Sequence, residues 1–423
     1  MNRKQFALVL TLVAGSIGQV FAQTALTIDQ AVDAAIRNNL SLQRTKATTA
    51  AKKRASDLSW NSLIPSVNAK SAVSKANAGS GAATDWTPTE SISASVSLSP
   101  SIVSSMRQAK TEYESGLLDY DAAKKSLDLS TRKTFNHLLL YKAQIEVYER
   151  KIETAKSQYD ETAAKARVGQ ASQVEVLSAQ VAWEKLKPTL KSAFVSYENS
   201  LDDFKLMIGL PVENAVVLDG KLEANAKINA VSNLERVGEP ETVTTLKKSL
   251  ELRKIGKKVY ADQTLMPSLN LSFSSAPTYS YETWTDAGSF SASVGLNLDG
   301  FLPWSSAQET LSQYDDSIES LSSQITEARL TADATVRQLR RSIEKSFNSI
   351  DALVLNVQLA EKSYAMYEES YKKGTSDLQS LKDSGDTLVE ARVSVLEERY
   401  TLLNAILDLE NALNLPFATI GRK

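Results

Sequence analysis

The same run of signals occurs twice in this chain, about two hundred residues apart, so any fold it adopts has to be built twice over. In the first copy IPSVNAK starts at Ile64 and in the second MPSLNLS starts at Met266, which sets Pro65 on Pro267. RVGQASQVEVL, from Arg167 to Leu177, is matched 205 residues on by KKGTSDLQSLK, from Lys372 to Lys382, with Gly169 on Gly374. Both copies close alike, LMIGLP ending at Pro211 and NALNLP at Pro416, again 205 apart.

Residues 1–22 stand outside this scheme. Arg3 and Lys4 form a positive start, Phe6 to Val20 is largely apolar, and Val20-Phe21-Ala22 offers a peptidase site. Such a segment is expected to be a signal peptide, with the mature chain beginning near Gln23 outside the inner membrane; the alternative is an uncleaved anchor. Without Arg3 and Lys4, the 48 basic residues fall to 46 against 50 acidic ones, a net charge of −4. That balance gives no reason to expect nucleic acid or a polybasic membrane patch as a partner. The chain has no cysteine, so packing and assembly, not disulfides, must stabilise an exported protein of this size. Beyond residue 22 no apolar run is long enough for a membrane helix, so any crossing of a bilayer must be made by strands.

Between these signals lie long helical stretches with heptad spacing. Leu138, Tyr141, Ile145, Tyr148, Ile152, Ala155 and Tyr159 step by three and four, as do Ile350, Leu353, Val357, Ala360, Tyr364, Tyr367 and Tyr371. This is the seam of a coiled coil. The stretch from Ser101 to Arg167 lacks proline and contains only Gly116, so it predicts one helix of roughly 100 Å.

Two hairpins interrupt the helices, and their strands alternate. Ile92, Ala94, Val96 and Leu98 point one way, against Ser91, Ser93, Ser95, Ser97 and Ser99. Phe290, Ala292, Val294, Leu296 and Leu298 likewise oppose Ser289, Ser291, Ser293, Gly295, Asn297 and Asp299. The runs 91–99 and 289–299 have the length of tilted transmembrane strands. Periodicity alone favours a soluble sheet packed on one face, the commoner arrangement. The connections 76–89 and 276–288 are polar and carry Trp86, Tyr279, Tyr281 and Trp284, aromatics suited to a membrane interface. Four strands cannot close a barrel, so a barrel demands several chains; three copies give twelve strands and four give sixteen.

Together these features resemble the outer-membrane efflux protein family, the TolC-like outer-membrane channels. LTIDQAVDAAIRNNLSLQ (26–43), with Thr27 and Gln30 as a capping-box pair, looks like the family's first helix; TLKKSLELRK (245–254) is its echo. LIPSV and LMPSL resemble the approach to the barrel strands, and LMIGLP the end of a repeat. The resemblance implies a mainly α fold with a small transmembrane β-barrel part. Its unit is a duplicated helix, β-hairpin and long coiled-coil helices, with four strands per protomer. Three protomers would form a twelve-stranded barrel continuous with an α-helical periplasmic tunnel. The expected organisation is a first repeat over 23–211 (hairpin 65–99, tip 167–175), a linker over 212–240, a second repeat over 241–416 (hairpin 267–299, tip 372–386) and a tail over 417–423. The implied partners are a homotrimer, a periplasmic adaptor (membrane fusion) protein, an inner-membrane RND pump or ABC exporter, and outer-membrane lipid. Efflux and type I secretion both use such a duct.

By the same resemblance Arg167, Val168, Gly169, Gln170, Ala171 and Ser172, with Gly374 and Thr375, form the tips where an adaptor docks. Glu175, Asp377, Asp383 and Asp386 are candidates for an acidic aperture. Glu175 is answered by Ser380 and Gly209 by Asn414, mismatches that mark the halves as inequivalent.

No enzymatic reading finds support. His137, the single histidine, lies beside the seam residue Leu138 without triad or metal-ligand spacing, and is expected at the surface or between helices. No Walker or dinucleotide fingerprint is present, and no cofactor is expected. Asp202 and Asp203, being adjacent on a helix, project apart. Trp183 and Trp304 suit packing or an interface. Pro188 is expected to kink its helix. The interval from Leu42 to Pro65 exceeds that from Leu252 to Pro267 by about two helical turns. The competing reading is a soluble periplasmic coiled-coil scaffold.

Overall fold

The computed structural model describes residues 25–75, 86–223, 234–280, 283–285 and 288–420. The leader 1–22, Tyr281, and the side chains of Tyr279 and Trp284 lie outside what is described.

The chain runs β1 (Ala25–Leu26), α1 (Ile28–Asn38), α2 (Leu40–Asp57), a 3-10 turn at Ser59–Leu63, β2 (Ser66–Ser74) and β3 (Thr87–Leu98). Then come α3 (Pro100–Arg167), α4 (Gln173–Met207), β4 (Val217–Leu218) and α5 (Glu241–Thr264). The second hairpin follows with β5 (Ser268–Ser275), β6 (Thr278–Ser280), β7 (Thr283–Thr285) and β8 (Ser289–Gly295). A 3-10 turn at Asp299–Phe301 leads into α6 (Ser306–Lys372) and α7 (Leu378–Ala412). The long helices α3 and α6 have 68 and 67 residues, and α4 and α7 have 35 each. At 1.5 Å per residue α3 extends about 100 Å. Pro188 sits within α4, which continues as helix on both sides.

The longer interval before the first hairpin is taken up by α2 running on to Asp57 and by the 3-10 turn Ser59–Leu63, whereas α5 ends at Thr264, close before Pro267; the two copies also differ earlier in the helix. Asn39 breaks the first copy into two helices: its Oδ1 accepts from the Leu42 amide (2.9 Å) while its Nδ2 donates to the Met207 carbonyl (2.9 Å). Setting Leu42 on Leu252 puts Ser249 in the place of Asn39. Its hydroxyl turns back to the Thr245 carbonyl (3.0 Å), and α5 runs through unbroken.

Two compact units emerge. One takes the described residues up to Gln43, Lys124–Gly238 and Asp333–Lys423; the other takes Arg44–Ala123 and Glu239–Ala332. Each unit thus draws on both repeats.

In the first unit the core is itself duplicated. Leu138, Phe204 and Ile208 are sealed in one cluster; Ile343, Leu409 and Leu413, each 205 further on, are sealed in another. Thr27 and Gln30 make the expected capping box at the start of α1. A two-residue parallel bridge pairs β1 with β4, Leu26 opposite Leu218, and carries the chain past Pro211. Nothing in the sequence pattern announced so short a pairing.

The second unit holds the sheet, and here the strand expectation needs correction. Two three-residue strands, β6 and β7, lie within the connection 276–288, with β6 pairing β3 through Thr89 and Thr278. The last strand ends at Gly295 rather than at 299. The Asn297 side chain accepts from the Asp299 amide (3.1 Å), which turns the backbone out of the ladder. The four longer strands form one antiparallel surface in the order β2, β3, β5, β8.

Register gives that surface two faces. Val67, Ala94, Phe273 and Phe290 stand in one row across all four strands, with Val96, Leu271 and Ala292 in the next. On the other face Ser66, Ser95, Ser272 and Ser291 make a row, and Asn68, Ser93, Ser274 and Ser289 another. Hydroxyls meet across it: Ser66 and Ser95 at 3.1 Å, Ser272 and Ser291 at 2.7 Å, Ser274 and Ser289 at 3.0 Å. The apolar face is uncovered, with Val67 70%, Phe290 71% and Val294 73% exposed.

Candidate functional site

Both helical tips, which belong to the first unit, are built on one backbone plan. Gly169 has φ +75° and Gly374 φ +76°, the left-handed conformation that only glycine adopts cheaply. The residue after each glycine closes the preceding helix: the Gln170 amide donates to the Lys165 carbonyl and the Thr375 amide to the Ser370 carbonyl, both at 2.9 Å. Arg167, Val168, Gly169, Gln170 and Ser172 are exposed, as are Gly374 and Thr375; Ala171 is half-buried. Added methyl groups at Gly169 or Gly374 would meet nothing within 4 Å.

The acidic candidates divide into three kinds. Glu175 and Asp377 cap helices. Ser172 accepts from the Glu175 amide (3.2 Å) while its own amide donates to Glu175 Oε2 (2.7 Å), a capping box that opens α4. At the second tip the acid and the hydroxyl have changed places: Asp377 Oδ1 accepts from the Ser380 amide (2.7 Å) and its Oδ2 from the Ser380 hydroxyl (3.1 Å). Ser380 is therefore the counterpart of Glu175 in position, with the carboxylate moved to the cap residue itself. The Ser172 amide and hydroxyl hold Glu175 below the usual carboxylate range, and the Ser380 amide and hydroxyl do the same for Asp377. Asp386 is of a second kind, ion-paired with Lys151 on α3 at 2.6 Å. Asp383 is the third. It accepts from the Gln379 side chain (2.7 Å) and lines a hollow of about 290 Å³ with Tyr367, Ser380 and Thr387.

Polar and aromatic contacts tie the two hairpins together above the tips. The hydroxyls of Thr162 and Tyr371 lie 2.9 Å apart, and Gln158 donates to the Tyr364 hydroxyl (3.1 Å). Tyr371 is buried with Ala179, Leu378 and Leu381, and Lys165 stands 4.5 Å over its ring. Trp183 stacks on Tyr159, ring centres 5.7 Å apart. These partners escaped the sequence reading, because the heptad seam identifies a tyrosine as buried without saying which hydroxyl it meets. His137 lies between helices, its ring 4.4 Å from Tyr141 and 5.4 Å from Tyr400 on α7; burial pushes its pKa down. Among the described residues no helix is long and apolar enough to cross a membrane, and no cluster of three potential metal ligands occurs.

Duplicated coiled-coil hairpins with glycine-turned tips and one two-faced sheet make up a fold with known counterparts. The same fold is found in the CmeC outer membrane channel of Campylobacter jejuni (TM-score 0.75, 17% identity, 91% of this chain and 85% of that one). It recurs in the outer membrane protein VceC of Vibrio cholerae (0.74, 12%, 92% and 96%) and in the open state of the MtrE outer membrane channel of Neisseria gonorrhoeae (0.70, 17%, 92% and 89%). Residues 31–208 match the family described as Outer membrane efflux protein. The chain is matched by that family over less than half of its length. It is 23% identical over 319 residues to the Outer membrane protein TolC of Salmonella enteritidis, a match covering 71% of this chain and 64% of that relative.

Proposed function

We propose that this protein is a passive exit duct in the outer membrane, the final component of a tripartite efflux or type I secretion system. Three protomers, each giving a first repeat over 23–211 and a second over 241–416, close a twelve-stranded barrel above a helical periplasmic tunnel. A periplasmic adaptor docks at the tips around Gly169 and Gly374 and delivers cargo from an RND pump or ABC exporter. No residue is assigned a chemical step; the duct supplies a wet path and the tips its closure.

The observation that carries this reading is the two-faced sheet. An apolar surface spanning four strands, uncovered within its own chain, has a lipid bilayer as its natural solvent, while the rows of serine opposite suit water. The scaffold alternative leaves that apolar face without a partner. Within the acidic set, Asp383 is the best candidate for an aperture ring, since it lies outside both the caps and the Lys151 ion pair.

Fractionation and planar bilayers test the proposal together. The protein should enter the outer membrane, resist carbonate extraction and conduct ions. Gly169→Asp should leave a folded, inserted trimer that no longer transports. Release by carbonate and silence in bilayers would return the scaffold reading.

A further inference from the structure

The hydroxyl face of the sheet is almost free of charge. Across β2, β3, β5 and β8 its residues are serine, threonine, asparagine, alanine and glycine, with one exception among those described, Lys70. Lys70 lies opposite Ser91, one step beyond the last pair that β3 shares with β5, Ile92 and Ser275. Its side chain is exposed, and no carboxylate stands beside it on that face. The nearest acid in the ladder is Glu90. It is opposite Ser71, whose hydroxyl it binds at 2.8 Å, and successive residues of a strand point to opposite faces. The sheet thus segregates its two strand charges: the anion goes with the apolar side and the cation with the hydroxyl side.

We propose that Lys70 sets the charge preference of the barrel lumen. This rests on the exit-duct reading, in which the hydroxyl face is turned inward and three-fold symmetry makes three copies of every residue. Three ammonium groups at one level then form a cationic ring in a passage whose other described strand residues on that face are neutral. The ring favours anions and anionic cargo, opposite in sign to the acidic residues of the tips. Neutral hydroxyls elsewhere offer hydrogen bonds to cargo of either sign without holding it.

The strength of the effect depends on salt, which makes it readable. A field from the lumen wall reaches about 10 Å at 0.1 M salt, about 30 Å at 0.01 M and about 3 Å at 1 M. Across a wide barrel the ring should therefore act strongly only when salt is low.

The full-length protein in planar bilayers supplies the test. At about 10 mM KCl the potassium-to-chloride permeability ratio should rise from wild type to Lys70→Gln and again to Lys70→Glu, by about two- to fourfold in total, and the three should converge near 1 M. Equal ratios at low salt would overturn the assignment of Lys70 while leaving a conducting duct intact; a wild-type protein that does not conduct would sink the duct itself. Orientation is read separately, since the chain has no native cysteine. In vesicles a membrane-impermeant maleimide should label Lys70→Cys and spare Ala69→Cys, its neighbour on the apolar face. The reverse pattern puts the lysine toward lipid and removes the ring.

Discussion

At the end of α4 the left-handed residue that closes the repeat is Gly209, with φ +70°; at the end of α7 the same position is Asn414, with φ +55°. Both turns make the same bond, the Leu210 amide to the Lys205 carbonyl (2.8 Å) and the Leu415 amide to the Glu410 carbonyl (2.9 Å). The sequence mismatch therefore conceals one conformation. What differs is the neighbourhood. A methyl group on Gly209 would sit 2.5 Å from the Asn38 Cβ and 2.8 Å from its backbone, whereas Asn414 has room for a side chain that accepts from Lys125 (2.7 Å). The duplicated fold has kept its backbone requirements and exchanged the chemistry that meets them.

The largest effect should follow from that steric difference. Gly209→Ala should cost about 3 kcal/mol, adding a clash with backbone to the left-handed penalty, while Asn414→Gly should be near neutral. Thermal unfolding of the detergent-solubilised protein measures both. Equal losses at the two sites would mean that Asn38 yields and that close packing is not the reason for glycine.

A second exchange lies one turn earlier. Lys205 and Glu410 are 205 residues apart and both buried, yet carry opposite charge. Each grips the chain that leaves its helix. The Lys205 ammonium donates to the Val212 carbonyl (2.7 Å), and the Glu410 carboxylate accepts from the Ala418 and Ile420 amides (2.9 and 2.7 Å). Glu410→Leu strands two amides and should cost about 2 kcal/mol, with faster amide exchange at Ala418 and Ile420; Lys205→Met strands one carbonyl and should cost about 1 kcal/mol. Undiminished protection at Ile420 in the first variant would show that the tail is held by its apolar contacts alone.

The tips sharpen the argument from the other side. Gly169 and Gly374 share the φ of Gly209 but have open space around them, so alanine at either should cost only the conformational penalty, about 1 kcal/mol, and equally at both. A loss at Gly169 as great as that at Gly209 would undo the distinction between conformation and crowding.

Much of this was legible in advance, and the residues show why. Heptad spacing located the buried Leu138 and Ala360, since a seam must face a partner whatever that partner is. Strand alternation likewise separated Ser95 from Ala94. The rows that cross four strands depend on register between β3 and β5, hairpins far apart in sequence, and no local pattern fixes such a pairing. The roles of Glu410 and Lys205 were hidden for a related reason: charged residues in a helix suggest a solvated face, and only the returning chain shows them buried. The acidic tip residues were visible as a group, but whether each caps a helix, pairs with a lysine or stays open depends on rotamers and on contacts between hairpins.

The smallest expected effect concerns the exchanged caps. In the first tip Ser172 is the cap and Glu175 the reciprocal acid; in the second Asp377 is both cap and acid. Ser172→Ala should therefore cost about 1 kcal/mol while leaving the carboxylate in place. The acids confer the pH dependence. Both carboxyls are held below their ordinary range in the folded protein, so their contribution is present above the unfolded value and is lost as pH falls through the depressed folded one. Acidification below the usual carboxylate range should loosen the start of α4 and of α7 alike. Glu175→Gln keeps the reciprocal hydrogen bond of a capping box and Asp377→Asn keeps a competent cap, so each should remove the acid response at its own tip while the neutral-pH structure persists. Amide protection at Ser172 and Ser380, whose N–H groups donate to the two carboxylates, compared between wild type and variants at acid and neutral pH, separates the two. If Asp377→Asn abolished the response at both tips, the caps would be coupled through the contacts of Thr162 with Tyr371, and the repeats could no longer be treated as independent copies of one turn.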